Sequence, residues 1–214
     1  MAKTRNAVVR WYKKEGRSFP WRETSNPFAI LIAEMLLRRT TASAVLRVYD
    51  SFVNRFGTPQ KLAAASERVI AGRLISLGLQ SIRAHQMHET AILILREHDG
   101  QVPDNNEHLE RFPGVGKYAA SAVLNFAFSH SVPMVDGNVA HLLKRVFSSD
   151  LEGPTDPHAW ELMHVLGGRR QPKHLYWGII DLVATICLRR MPRCNRCPLD
   201  KLCDYSTNRV QQES

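Results

Sequence analysis

Three groups of residues in this 214-residue chain are of types and spacings that could do chemistry. Four cysteines, Cys187, Cys194, Cys197 and Cys203, follow a Cys-x6-Cys-x2-Cys-x5-Cys spacing near the C-terminus, bent by Pro192 and Pro198. Thiols packed so closely point to a metal centre, either zinc or an iron–sulfur cluster, because both take four cysteine ligands. Two carboxylates come next. Asp136 lies in Val135-Asp136-Gly137-Asn138-Val139, where it could cap a helix or work as a general base. Glu34 sits among Ile32, Met35 and Leu36. It would lose hydration there and its pKa would rise, unless it pairs with Arg38 one helical turn on. The third group is Phe112-Pro113-Gly114-Val115-Gly116-Lys117-Tyr118. Its glycines allow a tight turn and close approach to the main chain, and the helix that follows would aim amide groups and Lys117 at an anion such as a phosphate.

Helices must position these groups. Periodicity and stop signals predict helices over Asn6–Glu15, Pro27–Arg39, Ala42–Phe56, Pro59–Ala65, Glu67–Leu74, Ser81–Glu97, Ala119–Phe128, Val139–Phe147 and Lys173–Arg190, with a further entry at Pro154–Pro157. Asn26 should cap the second of these, which is apolar nearly all round and should be a buried central helix. No stretch has strand periodicity. Lys and Arg number 29 against 20 Asp and Glu, a formal charge of +9, which suits a polyanionic partner. No apolar run is long enough to span a bilayer, and Met1-Ala2-Lys3-Thr4-Arg5 leads into no signal-peptide core. A cytoplasmic, nucleoid-associated location without membrane contact is expected.

The hairpin and the Asp-Gly-Asn turn about twenty residues after it resemble the helix-hairpin-helix and catalytic-aspartate loop of the endonuclease III and MutY superfamily of DNA glycosylases. The cysteine spacing is similar to that family's cluster loop, and the resemblance covers nearly the whole chain. It implies an all-α fold of two lobes. A six-helix barrel with the hairpin would span residues 22–130, the hairpin itself lying at about 107–120. Residues 1–21 with 131–214 would form the other lobe. It further implies a [4Fe-4S] cluster on the four cysteines, structural in role, with Arg189, Arg190, Arg193, Arg196 and Lys201 presenting positive charge to DNA.

By the same resemblance, Asp136 is the carboxylate that stabilises an oxocarbenium-like sugar and activates water. Bifunctional members carry a lysine where this chain has Tyr118, and tyrosine forms no imine, so the implied enzyme is monofunctional and leaves an abasic site. Lys117 points about 100° away and does not substitute. Leu79, with Gln80, occupies the position of an apolar wedge inserted into the base stack, although a turn leucine packing on its own core fits the residue types equally. Gly114, Gly116, Lys117 and Asn138 are the expected backbone-binding positions.

Tyr118 together with Glu34 through Ala42, including Arg38, Arg39 and Thr40, resembles the branch that removes thymine or uracil opposite guanine. The substrate is then mismatched double-stranded DNA, bound by a monomer, with the flipped nucleotide met by Tyr118, Glu34 and Asp136. The adenine-removing branch has glutamines in place of Arg38 and Arg39 and adds a C-terminal domain for which this chain, ending at Ser214, leaves no room. Glu34 is the feature that branch would use as an acid toward a purine. A non-catalytic binder of distorted DNA is the alternative from another class, and Asp136 argues against it.

Overall fold

The computed structural model describes residues 1–168 and 173–212. Among the described residues the ordered elements are helices, and there is no strand. In chain order the α-helices are α1 (Ala2–Glu15), α2 (Pro20–Glu23), α3 (Pro27–Leu37), α4 (Ala42–Phe56), α5 (Pro59–Ala63), α6 (Glu67–Gly72), α7 (Gln80–Glu97), α8 (Asn106–Glu110), α9 (Lys117–Ala127), α10 (Gly137–Phe147), α11 (Pro157–Gly167), α12 (Lys173–Thr185) and α13 (Asp204–Gln212). The all-α expectation holds. The chain folds as two compact units, one of Ser18–His130 and one of Met1–Arg17 with residues from Ser131 onward.

The Ser18–His130 unit is built on α3. Asn26 accepts hydrogen bonds from the amides of Phe28 (2.9 Å) and Ala29 (3.1 Å), and Pro27 opens the helix without an amide to lose. Every residue from Phe28 to Leu36 is buried, and α4, α7 and α9 pack around the helix. Its end departs from the sequence expectation. The helix stops at Leu37, with Arg38 extended and Arg39 left-handed (φ 52°). The cause lies on α7, where the buried Arg83 guanidinium takes the terminal carbonyls. Nη1 donates to Met35 O (2.8 Å) and Leu36 O (3.1 Å), and Nη2 to Arg38 O. Those acceptors would otherwise have called for another helical turn or for water.

In the other unit α1 lies along α12, and α10 packs against α11, α12 and α13. Arg17 closes on the fully buried Asp181 with three bonds, N to Oδ2 at 2.8 Å, Nε to Oδ1 at 2.9 Å and Nη2 to Oδ1 at 2.7 Å. The α1 helix begins at Ala2 rather than Asn6, its first turns held by Arg5 Nη1 donating to Gly167 O (3.2 Å). The α12 helix ends at Thr185 rather than Arg190. The amides of Ile186 and Cys187 both turn back to Leu182 O, at 2.8 and 2.7 Å, and release Cys187 into a loop. The short α13, polar apart from Tyr205 and Val210, was not anticipated.

Candidate active site and metal centre

Asp136 stands at the N-terminus of α10. Its Oδ1 accepts from the amides of Asn138 (2.9 Å) and Val139 (2.8 Å), and its Oδ2 from Asn138 Nδ2 (3.1 Å). The helix-cap reading of this residue is the one the geometry shows, and the cap bonds hold a half-buried carboxylate in a single orientation. Burial pushes its pKa above the ordinary aspartate value, and the bonds from Val139 and Asn138 work in the opposite direction. Asn138 therefore positions this carboxylate directly. Arg189 Nη2 donates to Gly137 O (3.2 Å) in the same turn, placing a cation beside it.

The hairpin lies in the other unit. Asn105 caps α8 by accepting from His108 N (2.9 Å). The chain then turns through Gly114 at φ +82°, and α9 starts at Lys117 with Gly116 as its cap. Its ladder begins with Ala120 N on Gly116 O (3.0 Å), so the first-turn amides of α9 lead out of the helix. Nothing lies within 4 Å of where a Cβ on Gly116 would stand, which leaves room for a ligand atom. Gly114 is different. A Cβ there would collide with Arg38 Nη1 and Gln86 Oε1, which bond each other at 2.7 Å. Arg38, expected from sequence at the DNA, thus also braces the hairpin. Gln86 was missed, and nothing in its sequence context singles it out. Lys117 is exposed and Tyr118, the second residue of α9, is half-buried.

Glu34 is 8% exposed, on a helix buried from Phe28 to Leu36. Arg39 is exposed and Thr40 half-buried beyond the end of that helix. Leu79 is 50% exposed and left-handed (φ 52°), directly before Gln80 opens α7, and Gly78 precedes it at φ +71°. Arg83 Nε holds Gly78 O (3.0 Å) from below. One guanidinium therefore fixes both the Leu79 turn and the end of α3. Sequence reasoning passed over Arg83, although a charged residue beside Ala84 and Met87 on a core-facing stripe is a readable signal.

All four cysteines line one small cavity of about 20 Å³, with Ile186, Pro192 and Tyr205. Arg145 of α10 ties the loop down. Its Nη1 donates to Leu188 O (2.8 Å) and to Cys187 Sγ (3.4 Å), its Nη2 donates to Arg189 O (2.9 Å), and its guanidinium stacks on Tyr205 at 4.6 Å. His141 Nε2 donates to Cys187 O (3.2 Å). Burial, reinforced by the neighbouring cysteines, pushes the Cys197 thiol up to about 12 and that of Cys203 upward, so a compensating cation is what would let these sulfurs ionise together. Arg189, Arg190, Arg193, Arg196 and Lys201 are all exposed around the loop. No described helix is long and apolar enough to cross a membrane.

An all-helical architecture, a glycine hairpin opening a helix and a terminal four-cysteine loop are the marks of the helix-hairpin-helix class. The chain belongs to the HhH-GPD superfamily of base excision DNA repair proteins, matching it over residues 32–164. It is 36% identical over 204 residues to the thymine/uracil-DNA glycosylase of Methanothermobacter thermautotrophicus, which covers 94% of this chain and 91% of that protein. It is 37% identical over 198 residues to the adenine DNA glycosylase of Mycobacterium tuberculosis, covering 90% of this chain and 64% of that one. Among solved structures, a thermostable thymine-DNA glycosylase superposes with a TM-score of 0.91 at 33% identity, over 96% of this chain and 95% of the other.

Proposed function

We propose that this DNA glycosylase of base excision repair is monofunctional and removes thymine or uracil mispaired with guanine from double-stranded DNA. The observation that carries the hydrolytic reading is Asp136, a carboxylate held by three hydrogen bonds and partly desolvated. As the bond from the sugar C1′ to the base nitrogen breaks, its electron pair leaves with the base and positive charge develops on the sugar. Asp136 stabilises that charge, accepts the proton of the water that adds at C1′, and leaves an abasic site. Tyr118 supports the monofunctional assignment, because a phenol at the second position of α9 cannot form an imine with the opened sugar. Arg38, Arg39, Thr40, Leu79, Gln80, Gly114, Gly116, Lys117 and Asn138 are assigned to DNA, and Glu34 and Tyr118 to the base. Two relatives at nearly equal identity carry different base names, and a buried carboxyl such as Glu34 suits protonation of a departing purine, so adenine is the competing substrate.

Cys187, Cys194, Cys197 and Cys203 are assigned to a [4Fe-4S] cluster. Four cysteines can hold either zinc or an iron–sulfur cluster, and membership of the endonuclease III-like superfamily supports the cluster. Held by Cys187, Cys194, Cys197 and Cys203, a cluster would give the loop a fixed fold, from which its exposed arginines would meet the DNA backbone.

Single-turnover base release on G·T, G·U, A·G and A·8-oxoguanine duplexes, worked up with and without alkali, tests the proposal. Strand breaks at G·T and G·U only after alkali, lost in Asp136→Asn, are expected. Cleavage of the adenine strands would make Glu34 the purine acid and overturn the base assignment. Iron and acid-labile sulfide in purified protein test the cluster, and zinc in their place would refute it.

A further inference from the structure

A second group of metal-ligating side chains lies away from the cysteines, between the start of α6 and the middle of α7. Glu67 is the first residue of α6, and His88 and Glu89 sit in the middle turns of α7. Their ligand atoms all fall within 4.8 Å of one another, and all three residues are half-buried. His88 is the informative member. Its Nε2 lies 3.1 Å from Ala63 O at the end of α5, and since a carbonyl only accepts, Nε2 carries the proton. That leaves Nδ1 as a lone-pair nitrogen, and Nδ1 is buried with no hydrogen-bond partner. It faces Glu67 Oε1 and Glu89 Oε1, each at 3.9 Å, which is too long for a hydrogen bond.

Three acceptors turned toward one point repel unless a positive charge lies among them. We propose that Glu67, His88 and Glu89 bind a divalent transition-metal ion of zinc-like chemistry, with water completing the coordination. His85 stands outside the three and meets Glu67 Oε1 through Nδ1 at 2.9 Å, which orients that carboxylate. An imidazole held by a backbone carbonyl on its other nitrogen is the arrangement by which proteins fix a metal-binding tautomer. An imidazole among carboxylates selects zinc over magnesium or calcium, which prefer oxygen alone. A tetrahedral ion with bonds near 2.05 Å has donor–donor edges of roughly 3.3 Å. The partly exposed carboxylates of Glu67 and Glu89 reach that spacing by small rotations. Such an ion would tie the first turn of α6 to the middle of α7, closing a loop that contains Gly78, Leu79 and Gln80.

The test is calorimetric titration of zinc chloride into the full-length, iron-loaded protein, compared with His88→Ala and Glu89→Gln. Any zinc taken by the cysteines is common to all three proteins and cancels. Wild type should bind one equivalent more than either variant, or bind it at least 10–100-fold more tightly, and only wild type should gain melting temperature on adding zinc. Magnesium chloride should give no such difference. Glu89→Gln alters a partly exposed side chain and keeps the comparison valid if His88→Ala fails to fold. Zinc binding of equal stoichiometry and affinity in all three proteins, or none in any, would overturn the proposal.

Discussion

Replacing Arg83 by methionine should cost far more than its position on an ordinary helix suggests. The side chain is 5% exposed and donates to four carbonyls, those of Met35, Leu36, Arg38 and Gly78. Methionine fills the same space, so the change isolates the hydrogen bonds. Each buried acceptor left without a donor costs about 1–3 kcal/mol. Solvent reaches those nearest exposed Arg38 and Gly78, so the net loss should be about 3–5 kcal/mol, the range for stripping one partner from a buried charged network. At about 2–4 °C per kcal/mol for a chain of this length, the melting temperature should fall by roughly 10 °C. Lysine should recover less than half of this, because one ammonium cannot reach acceptors spread along two segments. Urea melts of wild type, Arg83→Met and Arg83→Lys supply the energies, and hydrogen exchange at residues 36–40 and 76–82 locates the loosening. A loss under about 1 kcal/mol, or exchange unchanged in both segments, would refute the idea that one guanidinium holds the end of α3 and the Leu79 turn together.

Asp136→Asn should keep the cap, since the amide oxygen still accepts from Asn138 and Val139, while lowering base release by roughly 10²–10³-fold or more in single turnover. The folded pKa of Asp136 is raised, so its ionisation costs stability as pH climbs through that pKa. Asp136→Asn should therefore be as stable as wild type or more so at pH 7, and the gain should vanish below about pH 4 in paired melts. Tyr118→Lys should introduce strand cleavage without alkali and a borohydride-trappable adduct, and its absence would show that this position is not aimed at the sugar. Asp181→Ala should destabilise by about 3–5 kcal/mol, because it abandons a buried side of the Arg17 pair, and thermal denaturation checks it.

What could be read in the sequence was local. Asn26 and Pro27 announce the start of α3, Asp136 announces the start of α10, and four closely spaced cysteines announce a shared centre, because each depends on residues a few positions apart. What could not be read was carried by long-range partners. The Arg83 guanidinium ends α3 from about 45 residues away, and Arg17 meets Asp181 from the far end of the chain. Likewise Glu67 and His88 form one cluster only because α6 folds back on α7. Gly114 sits between the two cases. Its type promised a close approach, but the approaching groups proved to be Arg38 and Gln86 of its own unit.

Leu79 holds a left-handed backbone that costs a residue with a Cβ roughly 1–2 kcal/mol and a glycine almost nothing. Half of its surface remains in water, so packing returns little of that cost. Judged by folding alone, glycine would be the better residue, and Gly78 beside it shows that the turn tolerates one. Under the proposed assignment of Leu79 to DNA, position 79 records a conflict between stability and use. A Leu79→Gly protein that melts no lower than wild type yet binds DNA less well would show that this side chain is kept for an encounter outside the fold.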